Sequence, residues 1–365
     1  MRTIFVNGKF LLQRGTGVQR AAREWLNAVD RLLAEEPAPH ERWEVLHPPG
    51  AQLPPWRCIE ARPVGRAGGS LLWWEQWSLP RAARAGMLLN LAGSAPWWAQ
   101  HQVATFHDAA VWDQPHAYTW LFRVWYRALF RHLAQHASRL LTVSTYSRQR
   151  LAACVGQLER RFAVIPNGAD HLDAVGADMG VLGDVEPIDG RFLLAVASIN
   201  PSKNLARLVE AFGRLDPSQG LRLVIVGGGN SRIFADANLP AIEGVVRLGA
   251  VDDAALKALY CHALALVVPS LYEGFGLPPL EAMACGCPVA VARAAALPEV
   301  CGDAALYFDP LSVGDIAAAL QRMADDGRLR DALRQAGRTR AAAFTWRAAG
   351  QRLRGEMRDV TRSTP

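Results

Sequence analysis

The chain has 365 residues, half of them hydrophobic, and a net charge of +6. That length allows two or three domains, the apolar fraction excludes a disordered chain, and no apolar run approaches the ~18 residues that cross a bilayer. The charge is uneven: residues 1–170 hold 20 basic against 12 acidic side chains, the remainder 20 against 22, so the first half suits an anionic partner such as a phosphate or a phospholipid surface.

In chain order, short apolar runs alternate with helical patterns. Residues 3–6 read as a strand and lack the apolar core and small-residue cleavage site of a secretory leader, from which a cytoplasmic location is expected. Further strands fit residues 43–46, 87–91, 102–106 and 140–143, with helices over 19–33 and 118–135. The second half repeats the rhythm, with strands over 192–197, 221–226, 245–248, 263–268, 288–292 and 305–308. Its helices fit 204–215, 252–260, 278–284, 313–325 and 328–343. This alternation predicts an α/β protein of two doubly wound, Rossmann-like domains built on parallel sheets. The period is lost over 171–190, which is rich in Gly and Asp. A first domain over 1–175 and a second over 190–345 follow, facing across a crevice that would take the ligand. A last helix within 346–365 would cross back onto the first domain. The six cysteines form no C-x-x-C pair and read as buried free thiols rather than disulfides or metal ligands.

Chemistry concentrates in the stretch Pro269 to Glu281, Pro-Ser-Leu-Tyr-Glu-Gly-Phe-Gly-Leu-Pro-Pro-Leu-Glu. A strand ends near Val268 and a Gly-rich turn follows. Pro278 then falls in the first turn of a helix, where its missing N–H costs nothing. The N–H groups of Phe275, Gly276 and Leu277 would face outward with the helix dipole behind them, a site suited to a diphosphate. Gly274 and Gly276 permit close approach of the backbone. Glu273 and Glu281 carry carboxylates, which only accept hydrogen bonds and so suit the hydroxyls of a sugar and a ribose. Asp252-Asp253 opens a helix and reads as a cap. No D-x-D element stands at a strand end and no G-x-G-x-x-G fingerprint occurs, so neither a metal nor a dinucleotide cofactor is expected.

Glu273 and Glu281, with seven residues between them, match the E-x7-E motif of retaining GT-B enzymes. The stretch Pro269 to Pro310, with Leu297-Pro-Glu299-Val and Gly302-Asp-Ala-Ala-Leu-Tyr-Phe-Asp-Pro310, resembles glycosyltransferase family 4. The resemblance implies a GT-B fold and transfer of a hexose, with retained anomeric configuration, from a nucleoside diphosphate sugar to an acceptor hydroxyl. It makes Lys203, Glu273 and His107 the catalytic residues. Lys203, in Asn200-Pro-Ser-Lys203-Asn, matches the lysine that holds the donor diphosphate. Ser198 or Asn200 stands where many relatives carry an arginine, and both join the donor-binding set. Gly15, Thr16 and Gly17, in Arg14-Gly-Thr-Gly-Val-Gln-Arg20, are similar to the family's first Gly-rich loop, which approaches the donor. His107, in Thr105-Phe-His107-Asp108, resembles the histidine near the reacting sugar, with Asp108 orienting it. Glu281 is then assigned to the ribose and Glu273 to the donor sugar.

The loop motifs look most like bacterial mannosyl- or related transferases of surface polysaccharide and glycolipid assembly, so GDP-mannose is the first donor expected. A lipid-linked saccharide acceptor is expected with it. The first half's wealth of Trp (Trp73, Trp74, Trp77, Trp97, Trp98, Trp112, Trp120 and Trp125) and a stripe of Arg123, Arg127 and Arg131 point to peripheral contact with an anionic membrane face. No recognised nucleic-acid module is present. Sugar-nucleotide epimerisation, phosphorolysis and a non-catalytic nucleotide-sugar-binding role stay open as alternatives.

Overall fold

The computed structural model describes residues 2–13, 15–185, 191–197, 200–227 and 242–363. The chain divides into two compact units, one of Met1–Asn167 with Trp346–Pro365 and one of Gly168–Thr345.

The first unit is built on seven strands: β1 (Arg2–Asn7), β2 (Glu41–His47), β3 (Glu60–Pro63), β4 (Met87–Asn90), β5 (Gln102–Thr105), β6 (Arg139–Thr142) and β7 (Phe162–Val164). They form one sheet in the order β3-β2-β1-β4-β5-β6-β7, and every neighbouring pair is parallel. β4 and β5 are buried along their whole length, as strands covered on both faces must be. Helix α1 (Gly17–Glu35) turns Ala22, Trp25, Leu26, Val29, Leu32 and Leu33 inward, the i, i+3, i+4 spacing of an amphipathic helix. Helices α2 (Trp120–His136) and α3 (Thr145–Val155) cover β5 to β7, with Phe106, Phe130, Leu133, Leu140 and Phe162 in one apolar cluster.

The C-terminal helix Trp346–Ser363 belongs to this unit and packs on α1. The buried Arg354 fixes it there. Its Nε lies 3.0 Å from Glu41 Oε2, and one Nη donates at 2.9 Å to the carbonyl of Glu36, just past the end of α1. A helix C-terminus with unpaired carbonyls suits such a cation.

The second unit carries β8 (Phe192–Val196), β9 (Arg222–Val226), β10 (Val245–Gly249), β11 (Ala265–Val268), β12 (Val289–Ala292) and β13 (Leu306–Phe308). Their order is β10-β9-β8-β11-β12-β13, again all parallel. The helices are α4 (Leu205–Phe212), α5 (Asp253–His262), α6 (Leu277–Ala284), α7 (Val313–Asp325) and α8 (Gly327–Ala342). In each sheet the winding reverses once, between β1 and β4 in the first and between β8 and β11 in the second. Such switch points leave a crevice at the carboxyl ends of the strands, where open α/β sheets bind ligands.

Strands β3 and β7 and helix α3 were not expected from the sequence, and three further features differ. The units change at Asn167/Gly168 rather than within 171–190, because residues after 168 are tied into the second unit: Lys257 Nζ donates to the carbonyls of Leu172 and Val175 at 2.8 and 2.7 Å. The Trp-rich segment around Trp73 and Trp77, given no helix from the sequence, is helical, with Leu71–Trp73, a π turn Trp74–Ser78 and Leu79–Ala82 in sequence. The cysteines are free but not uniformly buried: Cys58 and Cys261 are exposed, while Cys287 and Cys301 are enclosed.

Candidate active site

The second unit's switch point gathers the residues from the Gly-rich stretch. After β8, the side chain of Asn200 accepts the N–H of Ser202 at 3.0 Å and starts a single turn, Pro201–Lys203. Asn204 ends it in the left-handed region, at φ 57°, a conformation that asparagine tolerates better than most residues. Its side chain donates to the carbonyls of Pro269 at 3.1 Å and Pro310 at 2.8 Å. The backbone N–H of Leu271 donates to Ser202 O at 2.7 Å. The turn after β8 is therefore laced to the turn after β11, and this lacing sets the position of Lys203.

Lys203 Nζ donates to Glu273 Oε1 at 2.6 Å, and Ser270 Oγ donates to the same oxygen at 2.8 Å. The pair is half-covered, with side chains 22% and 12% exposed. Among the described residues nothing further holds it, which leaves two N–H groups of the ammonium and Glu273 Oε2 for a ligand.

Beyond Glu273 the chain turns through Gly276, whose φ of 96° lies in the left-handed region and whose missing Cβ would stand 2.8 Å from Leu297 Cδ2. Only glycine meets both demands. Gly276 is the N-cap of α6, with Pro278 and Pro279 in the first turn. Neither proline has an N–H, so Leu277 is the one donor among the first three helical residues. The side chains of Phe275 and Leu277 are buried and anchor the turn, leaving backbone rather than side chain at its tip. Gly274 lies within the same turn.

Glu281, one turn further along α6, is buried. Tyr260 Oη donates to its Oε2 at 3.0 Å, and His171 Nε2 lies 3.2 Å from Oε1. Burial, reinforced by the neighbouring carboxylate, holds the Tyr260 phenol well above its ordinary range, so it stays a donor. A carboxylate has about four acceptor positions, and the Tyr260 hydroxyl takes one of them.

In the first unit, His107 follows β5. Its Nε2 sits 2.8 Å from the carbonyl of Leu91, and its ring stacks on Trp25 of α1 with centroids 5.8 Å apart. Burial pushes the imidazole down to about 4, with the Leu91 carbonyl opposing in part. The neutral ring must donate from Nε2 to that carbonyl, which makes Nδ1 the acceptor. Asp108 accepts the N–H of Ala110 at 2.8 Å, and Leu91 and Trp25 contact the His107 ring. Gly15, Thr16 and Gly17 lead into α1, with Thr16 as N-cap, its hydroxyl bonded to the Gln19 side chain. Arg14 and Ser198 lie outside the described residues. Asp252 caps α5, accepting the N–H of Ala255 at 2.9 Å.

The arginine stripe on α2 is not uniform. Arg127 donates to the carbonyl of Val111 at 2.9 and 2.7 Å and lies over Trp112, and Arg123 is half-buried, whereas Arg131 is exposed. The outward face carries apolar side chains instead, with Trp120 63%, Leu121 64% and Val124 57% exposed.

Tyr260, His171, Ser270 and Asn204 were not singled out from the sequence. Ser270 and Asn204 lie within the motifs read there, whereas Tyr260 and His171 reach Glu281 only through the fold.

Two doubly wound parallel units, with a lysine–glutamate pair and a glycine-capped helix at a switch point, define a glycosyltransferase of the GT-B class. Residues 185–340 match the family model described as "Glycosyl transferases group 1" and residues 85–171 that of "Glycosyltransferase Family 4". The chain is 32% identical over 257 residues to O-antigen chain mannosyltransferase B of Escherichia coli, a match covering 68% of this chain and 67% of that one. Among solved structures, sucrose-phosphate synthase from Thermosynechococcus elongatus aligns over all of both chains at 20% identity with a TM-score of 0.77. Anabaena HepE, solved in complex with UDP and glucose, aligns over 98% of this chain and 99% of its own at 16% identity with a TM-score of 0.73. The chain belongs to glycosyltransferase family 4.

Proposed function

We propose that this enzyme transfers a mannosyl or related hexosyl residue, with retained configuration, from a nucleoside diphosphate sugar to a hydroxyl of a lipid-linked saccharide. The observation that carries the reading is the Lys203–Glu273 pair beside the Gly276-capped start of α6. An ammonium with two unused N–H groups neutralises a leaving diphosphate without demanding planar geometry. The Leu277 N–H at the positive end of α6 adds to it. Glu273 Oε2 takes hydroxyls of the donor sugar, and Glu281 takes the ribose. His107 offers Nδ1 to a sugar hydroxyl. Catalysis by such a site is positioning plus leaving-group stabilisation, and the departing phosphate accepts the acceptor's proton.

GDP-mannose is the first donor proposed, on the loop motifs and on the name of the Escherichia coli relative; the HepE complex supports a nucleotide-sugar donor in general. We propose no resident cofactor and no metal, since Lys203 and α6 offer the positive charge that the leaving group requires. No helix among the described residues is long and apolar enough to cross a membrane. The exposed aromatic face of α2 supports a peripheral position on an anionic cytoplasmic membrane face. The test is incubation of the full chain with a panel of nucleoside diphosphate sugars and mannosides, with and without EDTA. A disaccharide of retained configuration, formed equally with EDTA present, is expected. Free epimer, sugar phosphate or no turnover would replace the reading with one of its rivals.

A further inference from the structure

The first unit's own switch point holds a second lysine–glutamate pair that the donor site does not use. Glu75 is enclosed, at 1% exposure, and lies in the π turn Trp74–Ser78, a distortion that recurs at functional sites. Its Oε1 accepts from Asn7 Nδ2 at 2.9 Å and Ser94 Oγ at 2.7 Å, and its Oε2 accepts from Lys9 Nζ at 2.7 Å. Asn7 ends β1 and donates also to Asn90, which ends β4, at 3.0 Å. Asn90 in turn donates to Gln102 at 3.2 Å. The enclosed members Asn7, Glu75, Asn90 and Gln102 all have partners, the condition under which a buried polar network rigidifies a unit.

Lys9 and Ser94 are the members partly exposed at the surface, Lys9 with 12% of its side chain exposed. The chain is brought there by Gly8, where a Cβ would lie 2.7 Å from Leu46 O and 2.8 Å from Val45 Cγ1. The ammonium donates to Glu75 and, at 3.3 Å, to Ser94. Among the described residues one of its three N–H groups is left over. Ser94 stands three residues after Leu91, whose carbonyl holds His107, so at most about 10 Å of chain separates the two attachments. Lys9 and His107 thus share one edge of the sheet. Paired with Glu75, the Lys9 ammonium keeps one N–H donor that a ligand hydroxyl can accept.

We propose that Lys9 hydrogen-bonds a hydroxyl of the acceptor saccharide at the β1/β4 switch point, with Glu75 as the positioning residue that aims it. The proposal rests on the transferase reading above. The test uses the full chain with GDP-mannose as donor and methyl α-D-mannopyranoside as acceptor, comparing Lys9→Met, Lys9→Arg and the double variant Lys9→Met with Glu75→Gln. The double variant avoids leaving Glu75 enclosed without its cation, a strongly destabilising change. The acceptor KM should rise about ten- to a hundredfold in both Met variants, the scale of one hydrogen bond to a charged group. It should recover in Lys9→Arg, while the Kd for GDP by calorimetry stays that of wild type. An unchanged acceptor KM in the folded double variant makes the pair a structural tether and overturns the proposal. Equal weakening of GDP binding overturns its assignment to the acceptor. A wild type that transfers no mannose sinks the transferase reading beneath it, a different result from either.

Discussion

Lys203 and Glu273, 70 residues apart in sequence, meet in one hydrogen bond of 2.6 Å at the carboxyl edge of the second sheet. The bond keeps each charge neutralised until a ligand arrives. A diphosphate would draw on the ammonium's remaining N–H groups, and a sugar on the remaining carboxylate oxygen. Lys203→Ala should lower the transfer rate by about a hundredfold or more, as expected for losing one transition-state charge contact. Steady-state kinetics with saturating donor checks this, and near-normal turnover would remove Lys203 from the site.

Glu281 should behave differently from Glu273. Glu281→Ala should weaken binding of a bare nucleoside diphosphate and also lower stability by about 1–3 kcal/mol, because the buried Tyr260 hydroxyl loses its acceptor. Glu273→Ala should leave nucleoside diphosphate binding nearly intact but impair turnover of the sugar donor. Calorimetry with GDP, run beside thermal melts, separates the two; the reverse pattern would exchange their roles.

His107 carries a pH signature. Its folded value of about 4 lies below the ordinary 6.5, so between those pH values the unfolded chain binds more protons than the folded one. Stability therefore rises with pH through this window and falls as pH drops from 6.5 toward 4, by up to about 3 kcal/mol. Urea melts of wild type and His107→Gln at pH 7 and pH 4.5 should show a smaller pH dependence in the variant. The neutral ring also predicts that His107 adds no inflection near pH 6.5 to the rate profile. Equal pH slopes in the two proteins would contradict the assignment.

The sheet architecture was legible because parallel strands covered on both faces are nearly continuous apolar runs, as in Leu193-Leu-Ala-Val196 and Val289-Ala-Val-Ala292. β3 escaped notice because it is an exposed edge strand, Glu-Ala-Arg-Pro, with no apolar pattern. Glu273 and Glu281 were visible as a local string. Their partners Tyr260 and His171 were not, since a hydrogen bond across 21 residues or an approach across more leaves no periodic trace. Lys9 and Glu75, 66 residues apart, were hidden for the same reason. Arg127 was read as a surface charge because helical spacing gives a side chain's face but not the carbonyl that its guanidinium finds.

Gly276→Ala should affect stability and binding together. A Cβ there meets Leu297 and forces a left-handed alanine, a conformational cost of about 1–2 kcal/mol before the clash is counted. The start of α6 would shift, taking the Leu277 N–H with it. A lowered Tm together with weakened GDP binding is expected; a variant that melts and binds like wild type would exclude the turn as a phosphate cradle.

The membrane proposal now rests on apolar rather than basic side chains. Arg127 is occupied by Val111 and Trp112, so of the stripe Arg131 is the exposed member and contributes about 1 kcal/mol at an anionic surface. Trp120, Leu121 and Val124 present a larger apolar area on the same helix, and Trp at this kind of boundary favours the lipid–water interface. Replacing all three with Ser should abolish sedimentation with vesicles containing phosphatidylglycerol, with the thermal melt unchanged because none of them is in the core. Arg131→Gln should weaken sedimentation modestly, and raised salt should remove only that part. Retained sedimentation of the triple variant would shift the contact elsewhere on the first unit. A wild type that stays in the supernatant at low salt would refute the membrane proposal and leave a soluble acceptor in its place.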